Sequence, residues 1–329
     1  MDELFDDIMH KALSKGATDI HLKCTDKLVI RLRVMGRLED VTDLEADKGE
    51  KLMNYLKYRS MINVNYKMTP QTGAFHYTSG DHTWFLRISY LPGLDFKSIV
   101  IRILNNHDPI TLDDLSPLTE FTAFLEDICA RTSGLFLVSG ATGSGKSTTL
   151  YAMLDALIAQ GGRNIVTLED PIEMVKEHCL QIEMNESLGI SYQSSLKQIL
   201  RHDPDIIMIG EIRDEKTAQL AITCSLTGHL VLSTIHASTA ALVMKRLLNL
   251  GVNATDIEDV LIGVASQKIK YDRENGKVII LPEILTRQDI LSYIRHQPYE
   301  YQTFHISARH LVAEGCPEYL LRDELDGCE

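Results

Sequence analysis

The chain has 329 residues, 44% hydrophobic and 24% charged, a length that suits two compact domains and a composition able to bury a real core. Lys and Arg total 33 against 46 Asp and Glu, a formal charge of −13 with no basic run to offset it, so direct nucleic acid binding is not expected. No apolar run approaches the ~20 residues of a membrane span, and the acidic start Met1-Asp2-Glu3-Leu4-Phe5-Asp6-Asp7 is unlike a signal peptide, which places the expected location in the cytoplasm.

In chain order, residues 1–104 read as a mixed α+β domain. A helical pattern at Glu3–Leu13 precedes strands at Asp19–Lys23 and Lys27–Val34, then a helix at Lys48–Met61 and strands at Ala74–Tyr77, Thr83–Tyr90 and Ser98–Leu104. Trp84, Leu86, Ile88 and Tyr90 alternate onto one face, as do Ile99, Ile101 and Ile103. If these last two strands form a hairpin centred between Leu94 and Asp95, Arg87 falls opposite Arg102, on the face away from Trp84, Leu86 and Ile88. Opposed like charges cost a few tenths to about 1 kcal/mol. Either an anion lies between or above the two guanidinium groups, or the arginines splay apart on a solvated face.

Residues 105–117, with Asn105-Asn106-His107-Asp108-Pro109 and Ser116-Pro117, read as a linker. Residues 118–329 change pattern. Short apolar strands at Gly134–Ser139, Asn164–Leu168, Asp205–Ile209 and His229–Thr234 alternate with helical stretches, predicting a parallel sheet and an α/β class. A helix at Ser194–Leu200 puts Leu196, Ile199 and Leu200 on one face, and Asp214 is a candidate N-cap for the helix after it. From Asp256 helices are expected to dominate, broken by a hairpin at Asp272–Lys277. The six cysteines are scattered with no CxxC pair and read as free thiols rather than zinc ligands.

Gly140-Ala141-Thr142-Gly143-Ser144-Gly145-Lys146-Ser147, followed by Thr148, matches the Walker A pattern GxxxxGK[ST] between an apolar strand and a helix. Glycines let backbone N–H groups curl around phosphates, and the helix N-terminus adds partial positive charge. Lys146 is placed to reach the β- and γ-phosphates of ATP, and the Ser147 hydroxyl to ligate Mg²⁺. Asp205–Gly210 is an apolar strand ending in Glu211, positioned to orient a water or hold the metal's hydration shell. Glu169, Asp170 and Glu173 crowd another strand end. Three carboxylates there call for a cation or a partner arginine, or else form an acidic turn, with Pro171 stopping the strand. His229 and His236 bracket a strand on opposite faces, which suits a shared metal poorly. A strand end can still bring one of them to the nucleotide, although a lone histidine is more often structural.

Together these segments resemble the secretion and type IV pilus ATPase family over about Ala17 to Gly263. The resemblance is carried by Thr18-Asp19-Ile20-His21-Leu22, Arg31–Leu38, Pro70–Gly73, the Asp box Glu169–Glu173, the Walker B region Arg201–Asp214 and the His box Thr227–Ala237. The chain looks most like the short competence ATPases of Gram-positive bacteria, and it lacks the four-cysteine zinc insertion of longer members. His202 stands where glutamine is usual and Ala141 where proline is usual.

The resemblance implies a PAS-like N-terminal domain, a RecA-like P-loop ATPase domain and a hexamer with nucleotide at subunit boundaries. It implies ATP hydrolysis that pushes on an inner-membrane platform protein and adds pilin subunits, with the enzyme peripheral on the membrane's inner face. Glu211 would be the principal catalytic carboxylate, aided by Glu169 and Asp170. His236 would sense the γ-phosphate, with His229 also at the nucleotide, and Arg213 would close the subunit boundary. Arg87 and Arg102 would reach the γ-phosphate. A pilus retraction ATPase shares every one of these motifs and is the runner-up. A RecA-like nucleic acid motor is disfavoured by the acidic balance, and a non-hydrolysing scaffold by the presence of Lys146, Ser147 and Glu211.

Overall fold

The structure is a computed structural model that describes residues 1–34, 37–63, 68–80, 82–104, 110–184, 190–272 and 277–326. The chain divides into two compact units, the first built on Met1–His107 and the second on Asp108–Ile172 and Lys176–Glu329.

The first unit runs α1 (Asp2–Ser14), β1 (Asp19–Cys24), β2 (Lys27–Val34), β3 (Arg37–Glu45), α2 (Ala46–Arg59), β4 (Gln71–Ser79), β5 (His82–Pro92) and β6 (Lys97–Leu104). Its described strands form one antiparallel sheet in the order β3-β2-β1-β6-β5-β4. Phe5, Ile8 and Met9 of α1 and Leu52, Met53 and Leu56 of α2 pack on Ile20, Leu22, Leu28, Ile30, Leu86, Ile88, Ile99 and Ile101. The period-two pleat therefore sends Asp19, His21, Arg31, Arg33, Arg87 and Arg102 to the opposite face.

Register in the β5–β6 hairpin pairs Arg87 with Arg102, the pairing expected from a turn centred at Leu94 and Asp95. Strand β3 was not expected. It is an acidic edge strand, mostly exposed along Arg37–Glu45, so no buried face writes an alternating pattern into it.

The second unit contains α3 (Thr119–Ala130), β7 (Gly134–Ser139), α4 (Lys146–Gln160), β8 (Ile165–Glu169), β9 (Cys179–Glu183), α5 (Tyr192–Ile199), β10 (Ile206–Ile212), α6 (Glu215–Leu226), β11 (Leu230–Ile235), α7 (Ala240–Asn249), α8 (Ala254–Val260), β12 (Leu261–Asp272), β13 (Lys277–Thr286), α9 (Arg287–Ile294), α10 (Phe304–Ala313) and α11 (Arg322–Leu325). The described strands form a sheet in the order β13-β12-β7-β11-β10-β8-β9, parallel except for the β12–β13 hairpin. Strands β7, β8 and β11 are buried at every position, as parallel strands covered on both faces must be. Among the described residues, no helix is long and apolar enough to cross a membrane.

Two expectations need correction. Helices do not dominate after Asp256. Leu261–Asp272 and Lys277–Thr286 are long strands that extend the sheet, although their turn falls where a hairpin was expected, with Asp272 opposite Lys277. Leu261, Val264, Ala265, Ser266 and Gln267 are all buried, so β12 shows no period-two signal there. The described half of the expected linker, residues 110–117, is not loose. Leu112 and Leu115 are buried, and the Leu115 carbonyl accepts the Ile280 N–H at 3.0 Å. Residues 105–109 lie outside the described residues, as does the Leu196 side chain, whereas Ile199 is buried and Leu200 packs against the second unit's core.

Asp214 is the N-cap of α6, its Oδ1 accepting the Thr217 N–H at 2.8 Å and the Thr217 hydroxyl at 2.7 Å. Asp214→Ala is expected to lower the stability of the second unit by about 1 kcal/mol in urea denaturation at neutral pH. The bonds from Thr217 hold the Asp214 carboxyl below its ordinary pKa of 3.8. The cap's contribution is therefore complete above that value and is lost as pH falls through the lowered pKa. An undiminished difference between parent and variant in strong acid would contradict this.

Candidate nucleotide site

The phosphate loop is set by backbone geometry. Gly140, at φ +142°, leaves β7 so tightly that a Cβ there would lie 2.5 Å from Ser144 Oγ and 2.6 Å from the Gln267 carbonyl oxygen. Gly145, at φ +85°, takes the left-handed conformation from which α4 starts at Lys146. Ala141, Thr142 and Gly143 are exposed, while Lys146, Ser147 and Thr148 are partly buried in the first helical turn. The unbonded N–H groups of that turn form an anion cradle.

Lys146 Nζ donates to the carbonyls of Gly140 (3.0 Å) and Ala141 (2.9 Å), so the ammonium lies within the loop. The Ser144 hydroxyl is buried with no hydrogen-bond partner among the described residues. Beneath the loop, Gln267 Nε2 donates to the Thr149 hydroxyl at 2.8 Å, and Ser139 and Ser266 share a hydrogen bond of 2.9 Å. Sequence reasoning missed Gln267 because it lies in a stretch read as helical.

Three strand ends open at the same level. The β11–β7 register pairs Ile235 with Ser139, so His236 stands level with Gly140. Glu211, near the end of β10, is a little exposed and doubly held. Arg213 Nε donates to Oε2 at 2.6 Å, and His236 Nε2 lies 3.0 Å from Oε1. Arg213 Nη1 also donates to Asp170 Oδ2 at 3.3 Å, linking the exposed acid after β8 to the same cluster. Burial, reinforced by the charge of Asp170, pushes the Tyr192 phenol up to about 12, so it keeps its proton beside these acids.

Glu169 differs from Glu211. It is 3% exposed and accepts from Thr167 Oγ1 (2.5 Å), from Gln181 Nε2 (3.0 Å) and from the Tyr151 hydroxyl. Its lone pairs are thus occupied by donors from β8, β9 and α4. His229 stands at the other end of the sheet. It precedes Leu230, which pairs with Gly134 at the start of β7, about 20 Å of strand away from the loop. Its Nδ1 is bonded locally to the Cys224 carbonyl (3.0 Å) and the Thr227 hydroxyl (3.1 Å).

In the first unit, Arg102 Nε donates to Asp19 Oδ1 at 2.9 Å, and Arg33 Nε lies 3.9 Å from Asp19 Oδ2. Burial works to raise the Asp19 pKa, but hydrogen bonds from Thr18 and Arg102 outweigh it and hold the carboxyl below its usual range. Asp19 of β1 is thus the anion beside Arg102. Arg87 makes no hydrogen bond or ion pair among the described residues.

A glycine-lined loop between a buried parallel strand and a helix, with acid-bearing strands opening beside it, defines a RecA-like P-loop ATPase domain. The chain belongs to the family described as Type II/IV secretion system protein, whose model matches residues 1–315. It is 39% identical over 264 residues to the competence protein ComGA of Halalkalibacterium halodurans, covering 80% of this chain and 76% of that one. It is 36% identical over 269 residues to the type II secretion system ATPase E of Vibrio cholerae, covering 81% of this chain but 53% of that longer one. A solved structure titled as the pilus retraction motor PilT with bound ADP superposes with a TM-score of 0.75 at 25% identity, covering 98% of this chain and 96% of that one. The chain is a nucleotide-binding ATPase of this family.

Proposed function

We propose that this ATPase is a hexameric motor whose ATP hydrolysis drives assembly of a competence pilus for DNA uptake. It works in the cytoplasm against an inner-membrane platform protein. The observation that carries the hydrolytic reading is Glu211 level with the P-loop, oriented by Arg213 and His236. The pathway reading rests on the similarity to competence proteins.

Backbone N–H groups of Gly140–Gly145 and the Lys146 ammonium bind the phosphates, with Ser147 and Thr148 in the first turn of α4. The Ser147 hydroxyl and the Glu211 carboxylate are hard oxygen donors that fit Mg²⁺, and the ion, when bound, supplies charge neutralisation for the β- and γ-phosphates. Glu211 orients the attacking water, Asp170 and Arg213 fix its setting, and His236 senses the γ-phosphate. Glu169, bonded to three donors, holds β8, β9 and α4 together. A second reading, a retraction motor, is favoured by the likeness to PilT. Deleting the gene distinguishes the two: loss of an assembly motor leaves no pili, whereas loss of a retraction motor leaves pili that extend and are not withdrawn.

Arg87 and Arg102 are assigned to stabilising charge on the transferred phosphoryl group. Arg87→Ala and Arg102→Ala are expected to leave folding and the hexamer intact while lowering turnover at least tenfold, within the range of arginine fingers, roughly 10³–10⁵ where they act fully. Arg87 should give the larger loss, because Asp19 already neutralises Arg102. Sedimentation checks the assembly, and phosphate release at several protein concentrations checks the rate. Parental rates in both variants would sink this assignment, and an isolated monomer with full specific activity would sink the hexameric motor.

A further inference from the structure

Glu283 of β13 is a buried carboxylate, 3% exposed, with no part in the site as described so far. It lies in register with Ser266 of β12, which is level with Ser139, the last residue before the phosphate loop. Its Oε2 accepts the Ala240 N–H at 2.5 Å, and the Tyr301 hydroxyl and the Phe304 N–H stand near enough to the same carboxylate to favour its charged form. Ala240 and Phe304 are the first residues of α7 and α10. Two helix N-termini thus converge on one negative side chain, satisfying unbonded N–H groups and complementing both dipoles.

This carboxylate is costly where it stands. Burial raises its pKa, even against these hydrogen bonds and the charge of Lys268. Capping alone does not call for it, because Thr239 and Thr303 already accept from Leu242 N–H (3.3 Å) and Ile306 N–H (3.4 Å). What Glu283 adds is a fixed point for the start of α7. The chain immediately before that point is His236-Ala237-Ser238-Thr239, and His236 is the residue that touches Glu211. Ala240 is wholly buried, whereas His236 is exposed, so the segment is pinned at one end and reaches into the site at the other.

We infer that Glu283 is a positioning residue for ATP hydrolysis, setting the place of His236 against Glu211 by anchoring the first N–H of α7. The inference rests on the role of His236 given under the proposed function. The test is a double-mutant cycle on the full chain with Glu283→Gln, His236→Ala and the double variant. ATP affinity, kcat, KM and thermal midpoint are read for each. Glu283→Gln is expected to keep ATP affinity within about twofold and lower kcat about fivefold or more, and in the His236→Ala background to change kcat by less than about twofold, because residues acting as one unit are not additive.

Equal losses of kcat in both backgrounds would overturn the inference, leaving Glu283 a helix anchor only, as would a parental kcat for Glu283→Gln. A parental kcat for His236→Ala would instead remove the sensing role on which the inference stands. If Glu283→Gln does not fold, Tyr301→Phe takes its place. It removes one donor, leaves the carboxylate, and is read against the same outcomes.

Discussion

Glu211→Gln is expected to bind ATP and fail to turn it over, with phosphate release falling by about a hundredfold or more. The amide keeps the side chain's volume and one acceptor oxygen, but it cannot carry the charge that orients a water or holds a metal's hydration shell. Arg213 donates to one carboxylate oxygen, and His236 Nε2 lies 3.0 Å from the other. An amide keeps one acceptor oxygen for Arg213 and turns its NH₂ toward the imidazole. The variant therefore loosens one contact at a little-exposed position, and its thermal midpoint serves as the control for folding. Nucleotide binding should stay near parental because Lys146 and the loop amides are untouched. Turnover close to parental would move the water-orienting role to Asp170, which is half exposed and shares Arg213 with Glu211. Glu169 would be the weaker substitute, since three donors already occupy it.

Lys146→Ala is expected to abolish measurable ATP binding, with an affinity loss of about a hundredfold or more, as charge-assisted hydrogen bonds of ~1.5–3 kcal/mol each are removed together. The ammonium lies among the Gly140 and Ala141 carbonyls, which accept from it. Its absence leaves the carbonyls of buried Gly140 and exposed Ala141 without this donor, at a loop whose Ala141–Gly143 stretch is open to water, so the fold should be little affected. The clean readout is the rise in thermal midpoint on adding ATP, because a ligand that binds only the folded chain stabilises it by RT ln(1 + [ATP]/Kd). The parent should show that rise and the variant should not. A full ATP-dependent rise in Lys146→Ala would assign phosphate binding to the loop amides and helix N-terminus alone.

The phosphate loop was legible because its requirements are local. Gly140 and Gly145 adopt backbone conformations that other residues resist, Lys146 and Ser147 follow at once, and the flanking strand carries the apolar run Leu135–Val138. The Arg87–Arg102 pairing was legible for a similar reason, since a short hairpin fixes register from its turn and the apolar alternation says which face is buried. Asp214 announced itself as a cap by its place before a helix.

Other features depended on partners far along the chain. Glu169 and Glu211 both end apolar strands, and only the approach of Tyr151 and Gln181 to one, and of His236 and Arg213 to the other, separates a fully buried carboxylate from one that keeps some exposure. His229 and His236 belong to one motif, and only the parallel register of β11 against β7 decides that His236 stands at the phosphate loop while His229 stands at the opposite edge. Strand β12 was missed because it is buried at consecutive positions, which erases the two-residue period, and β3 because it is exposed, which never creates one. The sequence by itself determined the chemistry that neighbouring residues perform together. Tertiary structure decided which charged groups are free to act, because a carboxylate's availability is set by the donors and burial that distant strands and helices bring to it.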